Sequence, residues 1–183
     1  MGSVTTLPRS RPLTRDDLEK MPDDGHRYEL VDGTLIVTPA PSWRHQRVVT
    51  RLWSLLNAQC PPGLEVFVAP LDVVLATDTV LEPDVLVVRR ADLGDRDLPA
   101  APVLAVEVLS PSTRHIDLTL KRSRLEAAGC RSYWVVDPDA AVLTAWELGD
   151  DGYVEVAQVR GEEEYAAEAP YPVVVRPADL VRD

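Results

Sequence analysis

Seven consecutive residues, Val103-Leu104-Ala105-Val106-Glu107-Val108-Leu109, are apolar with a single exception. The run is shorter than a typical helix and does not alternate, which is the pattern of a strand covered on both faces. Such a strand demands a layered fold, with one layer packed above it and another below. The exception, Glu107, is then a carboxylate inside a core, where it costs several kcal/mol unless a partner or a metal meets it. Ala105, two residues back on the same face, leaves room beside it.

The flanking sequence supplies those layers. Thr14 followed by Asp16 and Asp17 opens a short helix through Lys20. Residues 27–30 and 34–38 flank Asp32-Gly33, a strong short-range hairpin signal. Ser42 caps a helix running to about Gln59, with His45, Val48, Val49, Leu52 and Leu56 on one arc and Arg44, Arg47 and Arg51 on another. Strands are expected at 65–69, 71–76, 85–88, 103–109, 132–136, 142–148, 153–160 and 171–175, with a second helix over 117–128 that Gly129 ends. The order predicts an α/β fold with a mixed sheet flanked by helices. Residues 1–13 read as a flexible lead-in and 14–183 as one domain, of which about 141–183 is an acidic β-rich extension.

Composition excludes several classes. Apolar residues make up 45% and charged residues 27%, as in globular domains. No apolar run approaches the roughly 20 residues of a membrane-spanning helix, and the N-terminus lacks the apolar stretch of a secretory signal. Two cysteines, Cys60 and Cys130, make neither a disulfide scaffold nor a zinc site, so a cytoplasmic protein with unpaired thiols is expected. The net charge of -11 opposes simple nucleic-acid coating. However, residues 137–168 hold ten acids and one base, which is -9 of that -11. A basic face elsewhere is therefore allowed.

Two further charges sit where apolar residues belong. Asp84 follows Pro83 at the mouth of a short apolar strand, either as a loop cap or as a site residue. On a helical wheel from Asp117, the residues Leu118, Leu120, Leu125 and Ala128 outline the buried arc, and Lys121 falls in its middle. Asp117 and Lys121 also have i,i+4 spacing, so an ordinary helix salt bridge competes with a functional role. Two carboxylates at adjacent strand ends can hold Mg²⁺ or Mn²⁺, and a lysine beside them can position water or stabilise charge on phosphorus. Asp84, Glu107 and Lys121 thus outline a phosphodiester-hydrolysing site.

Arg27-Tyr28-Glu29-Leu30-Val31-Asp32-Gly33, Pro41-Ser42-Trp43-Arg44-His45-Gln46, Glu82-Pro83-Asp84, the run from Val106 to Thr113, and Tyr133-Trp134-Val135-Val136-Asp137-Pro138 together resemble the Uma2 family. That family is assigned to the restriction-endonuclease-like PD-(D/E)xK superfamily. The resemblance spans about residues 14–148 and implies a restriction-endonuclease-like fold. It matches Asp84 to the Asp of the PD motif and Glu107 to the second acidic position. The superfamily's lysine two residues later is replaced by Leu109, and the resemblance implies that Lys121 stands in for it. It also places Glu29 near the site, against the alternative of a cross-strand partner on an exposed sheet. His45 reads as a satisfied buried histidine or as a catalytic one.

The expectation is a Mg²⁺- or Mn²⁺-dependent endonuclease acting on DNA, with Asp84 and Glu107 as metal ligands and Lys121 assisting the attacking water. Glu29, His45 and Asp117 are additional candidates. Arg44, Arg47, Arg51, Arg114, Arg122 and Arg124 are expected to track a phosphate backbone, against the alternative of a solvated helix face. A homodimer or higher homo-oligomer is compatible with this scheme. RNA hydrolysis would use the same residues. The competing reading is a non-catalytic interaction or regulatory domain that retains the nuclease fold.

Overall fold

The structure, a computed structural model, describes residues 11–182; the first ten residues of the expected lead-in lie outside it. Residues 11–13 are packed rather than free. Leu13 is buried, its N–H donates to Gly33 O at 2.9 Å, and Arg11 pairs with Asp17 at 2.7 Å. Asp32 and Gly33 both have positive φ, as the tight turn between β1 (Arg27–Val31) and β2 (Thr34–Thr38) requires. A Cβ on Gly33 would collide with Pro12.

Two sheets carry the fold. The smaller has the order β2-β1-β5-β4, with β4 at Val73–Ala76 and β5 at Thr79–Leu81. The larger has six strands in the order β10-β9-β8-β7-β6-β3. These are β3 (Leu64–Val68), β6 (Val85–Arg89), β7 (Leu104–Val108), β8 (Ser132–Asp137), β9 (Val142–Gly149) and β10 (Gly152–Arg160). The β7–β8 pair is parallel and the other pairs in this sheet are antiparallel. A parallel neighbour needs a long crossover, and the helical segment after β7 supplies it.

Every residue of β7 is buried, as its uninterrupted pattern predicts. One face packs against Val48, Val49, Leu52 and Leu56 of α2 (Trp43–Ala58). The other packs against Leu125, Tyr133 and Trp146, together with Val31 and Leu81 of the small sheet. The helix α1 (Arg15–Leu18) packs beside β1. Among the described residues no helix is long and apolar enough to cross a membrane.

The second helix differs from its expected form. It comprises α3 (Arg114–Ile116), a π-helical turn (Asp117–Lys121) and α4 (Arg122–Ala127). The π turn closes i→i+5 hydrogen bonds and shifts the phase of the helix. Leu120, expected on the buried arc, is therefore 44% exposed, while Asp117 and Lys121 are both buried.

The C-terminal segment is β-rich, but β9 and β10 are strands of the main sheet. The hairpin β11 (Tyr165–Ala167) and β12 (Val173–Val175) and the helix α5 (Pro177–Val181) cover the α2 side of the core. The short β5, β11 and α5 escape periodicity because each spans five residues or fewer. Both thiols are free. Cys130 is fully buried, and burial pushes its thiol up to about 11. Titration of the native protein with a water-soluble thiol reagent at pH 8 should modify at most Cys60, with Cys130 reacting only after denaturation. Rapid modification of both would show that the β7–α4 layer opens.

Candidate active site

The site forms where the two sheets meet. Val85 pairs with Val106 in the antiparallel β6–β7 register. Asp84 immediately precedes β6 and Glu107 is one residue past Val106 on β7, so both come to the same end of this strand pair. Asp84 is 3% exposed and Glu107 is 1% exposed, and both line a cleft of about 360 Å³. The 39–42 loop, the 109–113 loop and Pro138–Asp139 form its walls.

Asp84 is held on three sides. Arg27 Nη2 donates to Oδ1 at 2.9 Å, while His45 Nε2 at 3.1 Å and the Val108 N–H at 2.8 Å donate to Oδ2. Because a carboxylate only accepts, the His45 proton sits on Nε2. Burial opposes ionisation of Asp84. The His45 hydrogen bond, Arg27 and the Val108 N–H outweigh it and bring the carboxyl down to about 2. His45 faces the interior from the first turn of α2, as its arc predicts, and its Nδ1 is buried without a hydrogen-bond partner.

Lys121 occupies a cage of carboxylates. Its ammonium is 2.9 Å from Glu29 Oε1, 3.1 Å from Glu107 Oε1 and 3.5 Å from Asp117 Oδ1. Burial alone would discharge the amine, but the three acids overcome it and keep it charged. Glu107 is pushed well above the carboxylate range by burial and by its acidic neighbours, against Lys121. Asp117 is raised chiefly by burial, and its Oδ1 makes no hydrogen bond. Glu29 Oε1 also accepts the Glu82 N–H at 2.7 Å, so Glu29 lies inside the site and not on an exposed sheet. Tyr133 donates to the Asp117 carbonyl at 2.8 Å, bracing the π turn.

Two residues escaped the sequence reading as site members. Arg27 lies two residues before Glu29 on β1, so strand alternation puts both on one face; that spacing was the available signal. Glu82 is pushed up to about 7 by burial and by Glu29 and Asp72, with Arg27 opposing. It lines the neighbouring hollows, and in the sequence it stands out only as part of the Glu82-Pro83-Asp84 motif.

The six arginines do not assemble as expected. Arg47 donates to the Arg182 carbonyl at 3.0 Å, and Arg51 to the carbonyls of Asp179 and Arg182 at 3.2 and 2.6 Å. Arg114 pairs with Asp137 at 2.6 Å, Arg124 pairs with Asp32, and Arg122 lies 5.2 Å from the centre of the Trp146 ring. Of the six, Arg44 alone lines the cleft. The acid-rich stretch 137–168 also reaches the cleft through Asp139.

Glu29, Asp84, Glu107 and Asp117 face two permanent cations, Arg27 and Lys121. Fully ionised, the cluster carries an excess of two negative charges, a deficit that suits a hard divalent ion. The donors are carboxylate oxygens, the ligand type of Mg²⁺ and Mn²⁺. Among the described residues no group of three or more His, Cys, Asp or Glu side chains forms a ready ligand cage. Mg²⁺ needs no such cage, since one or two carboxylates and several waters suffice.

The sequence model of the Uma2 family, described as "Putative restriction endonuclease", matches residues 15–178. A crystal structure from Anabaena variabilis ATCC 29413, described as "a putative nuclease belonging to DUF820", is similar with a TM-score of 0.71 at 21% identity. The match covers 93% of this chain and 98% of that one, and it shows a shared fold. No curated protein matches.

Proposed function

Because the chain belongs to the Uma2 family, we propose that the cleft is the active centre of a divalent-metal-dependent endonuclease that hydrolyses DNA. The observation that carries this reading is that the buried carboxylates Asp84 and Glu107 line one cleft together with the caged Lys121. Asp84 and Glu107 would hold the ion. A bound Mg²⁺ or Mn²⁺ would supply Lewis-acid polarisation of a phosphoryl oxygen and a more acidic water.

The protein's own residues set the geometry. His45, Arg27 and the Val108 N–H fix the Asp84 carboxylate and keep it ionised. Lys121 aims Glu107 and offsets its charge, while Glu29 and Asp117 hold Lys121 in turn. An ammonium has three donors, and all three here face carboxylates. Lys121 is therefore a positioning residue in this arrangement, and contact with the attacking water requires release of one carboxylate. Arg27, at the cleft wall, is the cation available to a phosphate once metal binding loosens its pair with Asp84.

The test is cleavage of supercoiled plasmid, single-stranded DNA and single-stranded RNA with Mg²⁺, Mn²⁺ or EDTA. Wild type should cut DNA only with metal, and Asp84→Ala should lose activity by on the order of 10²–10⁴-fold, the scale of a positioned electrostatic group. Equal cleavage by the variant, or none by wild type, removes the proposal. The second outcome favours a non-catalytic domain, a reading that Asp139 at the cleft and the committed arginines support.

A further inference from the structure

The wall of the cleft carries a feature the hydrolytic scheme does not use. Trp43, the first residue of α2, is 60% exposed. Other exposed large apolar residues, such as Val154, Val156 and Val174, lie on the strands β10 and β12. Trp53 is less exposed, at 37%, and is anchored through Nε1 to the Val66 carbonyl at 3.1 Å. Trp43 borders a second hollow of about 230 Å³ that shares Arg44, Pro138 and Asp139 with the main cleft. The two hollows therefore adjoin.

Two guanidiniums flank the indole. Arg47 lies 4.6 Å from the ring centre and is tethered to the Arg182 carbonyl. Arg44 lies 5.3 Å away and, among the described residues, has no hydrogen bond or ion pair. One cation thus braces the ring, and the other can leave it. A flat aromatic face beside a mobile cation is the recurrent platform for an unpaired base, with the base on the ring and the cation on the adjoining phosphate. Asp139 on the opposite wall repels a phosphate in the hollow itself, so the base and not the backbone suits that space. Bases in a duplex are stacked on one another and reach such a ring only after unstacking.

We propose that Trp43 and Arg44 form a subsite for an unpaired nucleotide flanking the scissile bond, so that the preferred substrate is single-stranded DNA. This rests on the nuclease reading of the adjacent cleft.

The experiment measures binding of oligothymidylate of about 12 nucleotides, and of a duplex of equal length, in EDTA. Fluorescence anisotropy would be used for wild type, Trp43→Ala and Trp43→Phe. Wild type should prefer the single strand. Trp43→Ala should weaken single-strand binding by about 5- to 150-fold, the range for loss of one stacked base, and Trp43→Phe should retain most of it. Equal binding of duplex and single strand, unchanged binding by Trp43→Ala, or no binding by wild type overturns the subsite. So does a change in oligomeric state of Trp43→Ala that accounts for the loss. Plasmid nicking in Mg²⁺ is run in parallel. Nicking with no Trp43 effect on binding removes the subsite and spares the nuclease reading. Trp43-dependent binding without cleavage under any metal leaves a single-strand-binding platform but removes the nuclease reading, and with it the role beside a scissile bond.

Discussion

Lys121→Met is expected to destabilise the protein by on the order of 3–5 kcal/mol, the cost of removing one partner from a buried ionic group. The side chain is 2% exposed and its ammonium faces Glu29, Glu107 and Asp117. Methionine keeps most of the volume, so the loss is one of charge and not of packing. Three acids would then lose the ammonium between them, leaving Arg27, which is already paired with Asp84, as the remaining cation of the cluster. For a domain whose total stability is about 5–15 kcal/mol, that loss should be plain in urea denaturation at pH 7. Adding Glu107→Gln to Lys121→Met should restore part of it, because the substitution removes one of the stranded charges. A single variant within about 1 kcal/mol of wild type would mean that the carboxylates relax or take up protons at little cost. The cage would then not be what holds the two sheets together at this point.

Ending the chain at Leu148 is expected to abolish folding. The sequence reads about 141–183 as an extension of the domain, but the structure builds that segment into the core. Strand β10 pairs with β9 from Gly152 to Arg160. Beyond it, Tyr171, Val173, Val175 and Leu180 are buried in the core cluster built on α2 and β7. Tyr171 also donates to the Leu56 carbonyl at 2.8 Å. Burial of each such side chain contributes roughly 1.5–3 kcal/mol, so losing four approaches the whole stability of a domain. Circular dichroism with thermal melting of the truncated chain should show no cooperative transition. A cooperative transition, with Mg²⁺ raising the melting temperature of the truncated and the full chain alike, would mark this segment as a separable appendage.

The parts of the site legible in the sequence are those where a charge interrupts an apolar pattern. Glu107 inside its strand, Asp84 before β6 and Lys121 on the buried arc each stand out because burying them is costly, and the structure brings all three to one cleft. What remained illegible depends on the elements packed opposite. Helix periodicity showed that Arg47 and Arg51 share a face, but it could not show that α5 lies across from them and takes their guanidiniums on its last carbonyls. The acids of 162–164 suggested an outward, repelling segment. Glu162 and Glu164 in fact pair with Arg176 and Arg182, a local balance that only the return of the chain creates. Arg27 shares a face with Glu29 on β1, but that it meets Asp84 depends on how the small sheet packs against the large one, which the sequence does not show.

The π turn explains the two departures around Lys121 as one event. An α-helix advances by 3.6 residues per turn, whereas the wider turn accommodates one residue more. Asp117 and Lys121 both face inward, and the displaced phase leaves Leu120 in water. Tyr133, from the strand beneath, holds the carbonyl where the spacing changes. The consequence concerns length and not residue type. Removing Thr119, an exposed residue within the turn, would let the segment close as a regular helix. The chain would keep every charged group of the site, but the spacing of Asp117 and Lys121 would fall from four residues to three, shifting the ammonium along the helix axis relative to Glu107. Substitutions at that surface position should be tolerated, and a deletion there should not.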